Sequence, residues 1–133
     1  MRPDVFRDYL IDVAKNAPGV QRVQPLQEVG EERYPYGVAV TAAGRETRWQ
    51  ITGQLADGEK SENPAADIEG QPAAFTPGDP GTPDAWLAGV IGAAESPQIA
   101  KLDVWSQREA NRADHIGCTV FFHNTARAFV RKI

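Results

Sequence analysis

The sequence predicts an α+β fold in which a mostly antiparallel sheet packs against two helices. Two segments carry apolar residues at helical spacing, and two other regions alternate apolar and polar residues around short turns. A long acidic stretch rich in proline and glycine interrupts this pattern. The chain has 133 residues, 41% of them hydrophobic, which is enough to bury a core. We therefore expect residues 1–133 to form a single α+β domain.

The first element is predicted to be a helix that starts near Pro3, because proline suits the first helical turn. Pro18-Gly19 ends the apolar run. The predicted buried face consists of Val5, Phe6, Tyr9, Leu10, Val13 and Ala17. We expect this face to pack on the sheet.

Strands are predicted to follow the first helix. Residues 20–29 form the first of them, and Pro25 restricts that strand to a sheet edge or a bulge. Next come two alternating runs, 34–42 and 47–55, separated by a short turn that contains a glycine. This pattern is typical of an antiparallel hairpin.

The two faces of this hairpin differ in character. Trp49 and Ile51 lie on the apolar face, which we expect to pack against the first helix. Arg48 and Gln50 fall on the opposite face, which is left to water or to a partner. We take Arg48 and Gln50 as candidate partner-binding residues.

Residues 57–83 are predicted to form an extended loop, which we call the arm. Of the 28 residues at 57–84, nine are glycine or proline, seven are acidic and one is basic. This window carries a charge of −6, and the rest of the chain carries +2. Loops of this length in small domains are usually functional or disordered. Two interpretations stay open: an acidic arm that orders on a partner, with Asp67, Glu69 and Phe75 in the contact, and a flexible insert without a role.

The second helix is predicted to start at Pro83, with Thr82 as a cap, and to end at Ser96-Pro97. Its predicted buried face consists of Trp86, Leu87, Val90, Ile91 and Ala94. We expect Trp86 to share one core with Trp49.

Closing strands follow at 99–105, 116–123 and 127–133, and the last two form a hairpin around Asn124-Thr125. Arg127 and Arg131 cluster with Lys132 in the last strand, and we take these two arginines as further candidate partner-binding residues. Residues 98–133 carry a charge of +3. Separation of this charge from the acidic arm could orient one subunit against the next in a ring or stack, although ordinary scatter of surface charge gives the same count.

Few side chains in this sequence could carry chemistry. Cys118 is the only cysteine, and His115 and His123 are the only histidines. Their spacing matches no zinc motif, and an odd spacing along one strand sends Cys118 and His123 to opposite faces. We expect Cys118 to be a buried apolar residue. The sequence therefore predicts no catalytic residue, no cofactor and no metal site.

Composition also limits the partners. A net charge of −4 disfavours nucleic acid as a direct partner. The longest nearly apolar stretch, 86–94, is far shorter than the ~20 residues that a membrane helix needs. No secretory signal precedes the first helix, so we expect synthesis in the cytoplasm and no membrane partner.

The order of elements resembles that of small virion proteins of tailed phages, the tail-terminator and head-completion families. The matching segments are Tyr34-Pro35-Tyr36-Gly37-Val38-Ala39-Val40, Arg48-Trp49-Gln50-Ile51, Pro83-Asp84-Ala85-Trp86 and Thr119-Val120-Phe121-Phe122. This resemblance implies a non-enzymatic ring subunit, located in the virion, whose sheet and loops contact neighbouring rings.

The sequence thus favours a non-enzymatic assembly or protein-binding subunit that forms homo-oligomers. A chaperone-like or adaptor dimer, associating through the sheet or the second helix, is the alternative. A further alternative is an enzyme with an unrecognised site built from His123 and arm carboxylates, namely Asp57, Glu59, Asp67 and Glu69.

Overall fold

The computed structural model describes residues 1–75 and 81–133, and these residues form two α-helices and six strands. The helices are α1 (Pro3–Ala14) and α2 (Pro83–Ala93). The strands are β1 (Val20–Pro25), β2 (Gly37–Ala42), β3 (Arg45–Gln54), β4 (Ile99–Val104), β5 (Gly117–Phe122) and β6 (Arg127–Lys132). Two short 3-10 helices lie at Leu26–Val29 and Trp105–Gln107.

All six strands form one antiparallel sheet in the order β1-β2-β3-β6-β5-β4. The N-terminal and C-terminal hairpins meet where β3 pairs with β6 at the centre of the sheet. These findings confirm the predicted α+β fold.

The first strand is shorter than predicted. It lies at a sheet edge, as Pro25 requires, but it ends at that proline, and residues 26–29 form a 3-10 helix instead of continuing as strand. Proline has no backbone N–H for the ladder, and Leu26 then turns over Gly37, where a Cβ atom would collide with its side chain. Leu26 is fully buried by this turn.

Both helices pack on the same face of the sheet and enclose the core there. Trp49 and Ile51 are buried in one cluster with Phe6 and Leu10 of α1, as predicted. The Phe6 ring meets the Phe122 ring edge to face at 5.9 Å between centroids. Cys118 is buried in the same cluster, also as predicted.

The predicted buried face of α2 is only partly right. Leu87 and Ile91 are buried, but Trp86 and Val90 are half-buried and Ala94 is exposed beyond the helix end. Asp84, Ala85 and Ala88 are buried in their place. The face of α2 that meets the sheet is centred on Leu87 and Ile91, so Trp86 lies at the rim of the core that encloses Trp49.

A similar correction applies to α1. Phe6, Leu10 and Ala14 are its buried residues, and Val5 is exposed. Ala17 lies beyond the end of the helix. The buried stripe of α1 is therefore narrower than the predicted one, because only one row of side chains at i, i+4 and i+8 faces the sheet.

Candidate protein-binding surface

The sheet face that points away from the helices carries four of the predicted partner-binding residues. Gln50 pairs with Arg131 across β3 and β6, and Arg48 and Arg127 lie on the same face. We call the side chains of this face, from Arg48 and Gln50 on β3 to Arg127, Phe129 and Arg131 on β6, the outer sheet face. The structure thus places Arg48, Gln50, Arg127 and Arg131 on one face, with Arg48 and Arg127 near opposite ends of the β3–β6 pair.

Two phenylalanines lie among these polar residues. Phe129 of β6 lies between Arg127 and Arg131 along its strand, and it is half-buried. The ring of Phe121 on β5 has the Arg127 guanidinium at 4.8 Å and the Lys101 ammonium at 5.4 Å from its centroid. Aromatic and arginine side chains are enriched at protein interfaces. Neither phenylalanine was predicted to belong to this surface, although Arg127, Phe129 and Arg131 alternate in the sequence.

Positive charge dominates the strand positions on this face. The register places five cations there and two carboxylates, a surplus of +3, and these residues are Arg22, Arg48, Lys101, Arg127, Arg131, Glu46 and Asp103. Glu46 already pairs with Arg48 at 3.4 Å, and Asp103 pairs with Arg108 at 2.6 Å. Among the residues that the structure describes, no carboxylate forms an ion pair with Arg127 or Arg131. Their charges therefore remain available to an anionic group.

Buried residues cover the outer sheet face toward its two sides. Trp105 lies over Gly117, where a Cβ atom would come within 2.6 Å of its ring, and its Nε1 donates to Thr119 Oγ1 at 2.9 Å. Leu26 covers Gly37 in the same way on the other side. Arg131 and Phe129 lie on β6, between these two covers in the order of strands. Between these two covers, Arg127 and Arg131 of β6 remain exposed.

The arm contacts the start of α1, the end of α2 and the turn between β5 and β6. Between β3 and α2, residues 55–75 contain no helix or strand apart from a single bridge between Lys60 and Asn63, and residues 76–80 of the predicted arm lie outside the described residues. Near the start of the arm, the Glu59 carboxylate accepts hydrogen bonds from the backbone N–H groups of Ala65 and Ala56 and from Arg2. These bonds lower the pKa of Glu59.

Further contacts hold the arm on the domain, including an ion pair at 4.0 Å between the Met1 ammonium and the Asp67 carboxylate. Asn124 Nδ2 donates to Ala66 O at 3.2 Å, and Gly70 N donates to Pro97 O at 2.7 Å. His123 Nε2 lies 2.8 Å from Gln71 O, and its ring lies so close to Gly70 that a Cβ atom there would be 2.7 Å away. Phe75 packs on α2 at Gly92.

Of the predicted arm residues, Asp67 and Glu69 are exposed and Phe75 is half-buried. The side chain of Asp67 is 55% exposed, and Ile68 is 52% exposed. Ile68 is one of the few large apolar residues that face solvent. The three consecutive residues Asp67-Ile68-Glu69 thus form an exposed segment with an apolar centre and two carboxylates. Phe75 lies on α2, away from this segment. The seven predicted partner-binding residues therefore lie in three places: the outer sheet face, the segment 67–69 and the surface of α2.

Phe75 lines a groove between the two helices. The groove has a volume of about 620 Å³, and its lining also includes Val13, Trp86 and Val90. This groove explains why Trp86 is half-buried, since its outer edge faces the groove.

The residues of the alternative enzyme site do not converge. Glu59 and Asp67 line a cavity of about 440 Å³ at the start of α1, but Asp57, Glu69 and His123 do not. The Glu59 carboxylate accepts from the Arg2 guanidinium and from the backbone N–H groups of Ala56 and Ala65. His123 Nε2 lies 2.8 Å from Gln71 O of the arm backbone. Within residues 1–75 and 81–133, no group of three or more histidine, cysteine or carboxylate side chains is placed to hold a metal ion.

No helix among the described residues is both long enough and apolar enough to cross a bilayer. Comparison with known proteins found no match to a family model, to a curated protein or to a solved structure.

Proposed function

We propose that this chain is a non-enzymatic assembly subunit that forms homo-oligomers through its outer sheet face. The observation that carries the proposal is that Arg48, Gln50, Arg127 and Arg131 lie on the same face of the sheet as Phe129, which has Arg127 and Arg131 on either side along β6. An apolar anchor surrounded by arginines is the composition of an energetic hot spot at protein interfaces. We extend the proposal to a ring in the head or tail of a phage virion, after synthesis in the cytoplasm. The order of elements supports this extension.

The test measures self-association by sedimentation velocity from low to high micromolar concentration. Arg131→Glu should weaken association by roughly tenfold or more, because the new carboxylate would repel the negative charge that the partner presents there. Arg45→Glu is the matched control, since Arg45 is exposed at the β2–β3 turn and its register faces the helix side. A wild-type chain that stays monomeric throughout, or equal effects of the two variants, would contradict the proposal.

The groove between α1 and α2 favours a second candidate, the chaperone-like or adaptor dimer. The residues that line this groove are mostly apolar, and the half-buried Trp86 is one of them. Val90→Lys would place a charge in this groove and leave the outer sheet face unchanged. If Val90→Lys abolishes a dimer that Arg131→Glu leaves intact, the groove is the interface and the dimer replaces the ring.

A further inference from the structure

We propose that copies of this chain associate head to tail, with Asp67-Ile68-Glu69 of one copy bound to the outer sheet face of the next. This inference rests on the proposed function, because it names what the outer sheet face binds. It commits to a second copy of the chain as the partner.

The first step concerns how the segment is presented. Residues 67–69 lie between two anchors, the hydrogen bond from Asn124 to Ala66 O and the hydrogen bond from Gly70 N to Pro97 O. His123 reinforces the second anchor through Gln71 O at 2.8 Å. The anchors leave the three residues between them exposed. A segment fixed in this way loses little conformational entropy on binding, which favours association.

The second step is chemical complementarity. The segment offers an apolar side chain, Ile68, with Asp67 before it and Glu69 after it. Asp67 lies 4.0 Å from the Met1 ammonium, but its side chain remains 55% exposed and can meet a further cation. The outer sheet face offers Phe129 with an arginine two residues before it and another two residues after it. Burial of Ile68 against Phe129 would remove exposed apolar surface, and the carboxylates would meet guanidinium groups that pair with none of the described carboxylates.

The third step is why the partner must be another copy. The arm contacts the helix side through Arg2, Pro97 and Gly92, whereas Phe129 and Arg131 point away from the helices. Asp67 lines one cavity together with Arg127, at one end of the outer sheet face of its own chain. The anchors on both sides of 67–69 hold the segment there, away from Phe129 and Arg131 of the same chain. Two different surfaces that bind each other make a heterologous contact, which produces a ring if the rotation closes and a filament if it does not.

Charge reversal on each surface tests the proposal. The arm variant carries Asp67→Lys and Glu69→Lys, and the face variant carries Arg127→Glu and Arg131→Glu. Each alone should self-associate at least about tenfold more weakly than wild type, since it presents two surfaces of the same sign. An equimolar mixture of the two variants should associate again, because each surface then meets its opposite. Glu62→Lys, an exposed change elsewhere in the arm, and Arg45→Glu are the matched controls.

The outcomes separate this inference from the proposed function. If the face variant weakens association and the arm variant does not, the outer sheet face binds something other than 67–69, and the head-to-tail inference is wrong while the proposed function stands. If both variants weaken association but their mixture does not recover, the two surfaces do not contact each other and the inference is again wrong. A wild-type chain that does not associate at all overturns the proposed function itself. Circular dichroism spectra that match wild type confirm that each variant is folded.

Discussion

Asp84 is fully buried in the first turn of α2, and its replacement by alanine tests how the helix layer is held on the sheet. Its Oδ1 accepts hydrogen bonds from Ser106 Oγ at 2.6 Å and from Ala85 N at 3.0 Å. Its Oδ2 accepts from Ser106 N at 3.0 Å and from Gly117 N at 3.2 Å. One carboxylate therefore joins α2 to the 3-10 helix after β4 and to the start of β5.

The cost of Asp84→Ala follows from the donors that lose their acceptor. The N–H groups of Ser106 and Gly117 would lie in or near the core without a partner, and each unsatisfied donor costs about 1–3 kcal/mol. Removal of a buried carboxylate from a low-dielectric site offsets part of this cost. We therefore expect Asp84→Ala to lower the free energy of unfolding by about 3 kcal/mol.

Replacement of Asp84 by asparagine keeps a hydrogen-bond acceptor at this position and removes the negative charge. Its side-chain oxygen can still accept from Ser106 N and Gly117 N, so we expect Asp84→Asn to cost only about 1–2 kcal/mol. Urea unfolding followed by circular dichroism measures both values, and Asp8→Ala on the exposed face of α1 is the control, with an expected change below about 0.5 kcal/mol. A loss below ~1 kcal/mol for Asp84→Ala, or equal losses for alanine and asparagine, would refute the reasoning.

Three further predictions concern the core and one surface pair. Trp49→Ala should cost about 3–5 kcal/mol in urea unfolding and Trp86→Ala clearly less, because only Trp49 is fully buried; equal costs would contradict the described packing. Hydrogen bonds from Arg33 lower the pKa of Glu31 from 4.5 to about 2. The pair therefore stabilises the fold above about pH 4.5, and this contribution disappears as the pH falls toward 2, so Glu31→Gln should flatten the stability curve in that window. Burial raises the pKa of the Cys118 thiol to about 12, so a thiol reagent in mildly alkaline buffer should react only after denaturant is added, and rapid reaction of the native protein would show that the site is open.

The sheet could be predicted from the sequence because its signals are local. Alternation of apolar and polar residues with a period of two, broken by short turns, is enough to define both hairpins and to place Trp49 and Ile51 in the core. Pro25 marks the edge strand because a residue without an N–H cannot join a central ladder. Neither inference needs knowledge of distant contacts.

The orientation of α2 could not be predicted in the same way. Its sequence is apolar around most of its circumference, so spacing alone does not select the face that meets the sheet. The choice between Trp86 and Ala88 as core residues depends on how closely the helix approaches the strands, which is a property of the whole fold. Burial of Asp84 was missed for a related reason, since an acidic residue in a first helical turn usually faces solvent.

The candidate site was predictable in part. Arg48 and Gln50 follow from the polar face of one hairpin, but their union with Arg131 depends on the pairing of β3 with β6, which no local pattern reveals. The path of the arm depends on single hydrogen bonds to its backbone, such as those at Ala66 and Gly70. Composition cannot predict contacts of that kind.

Cross-linking between copies tests the head-to-tail contact most directly. One chain carries Ile68→Cys and a second, distinguishable chain carries Phe129→Cys, and the mixture is oxidised under mild conditions. A disulfide needs the two Cβ atoms to come within about 3.5–4.5 Å, so it reports contact rather than mere proximity. We predict rapid formation of the mixed dimer between residues 68 and 129, and much slower formation when Ser61→Cys, an exposed position elsewhere in the arm, replaces Ile68→Cys. Equal rates for the two arm positions, or no mixed dimer, would contradict the account.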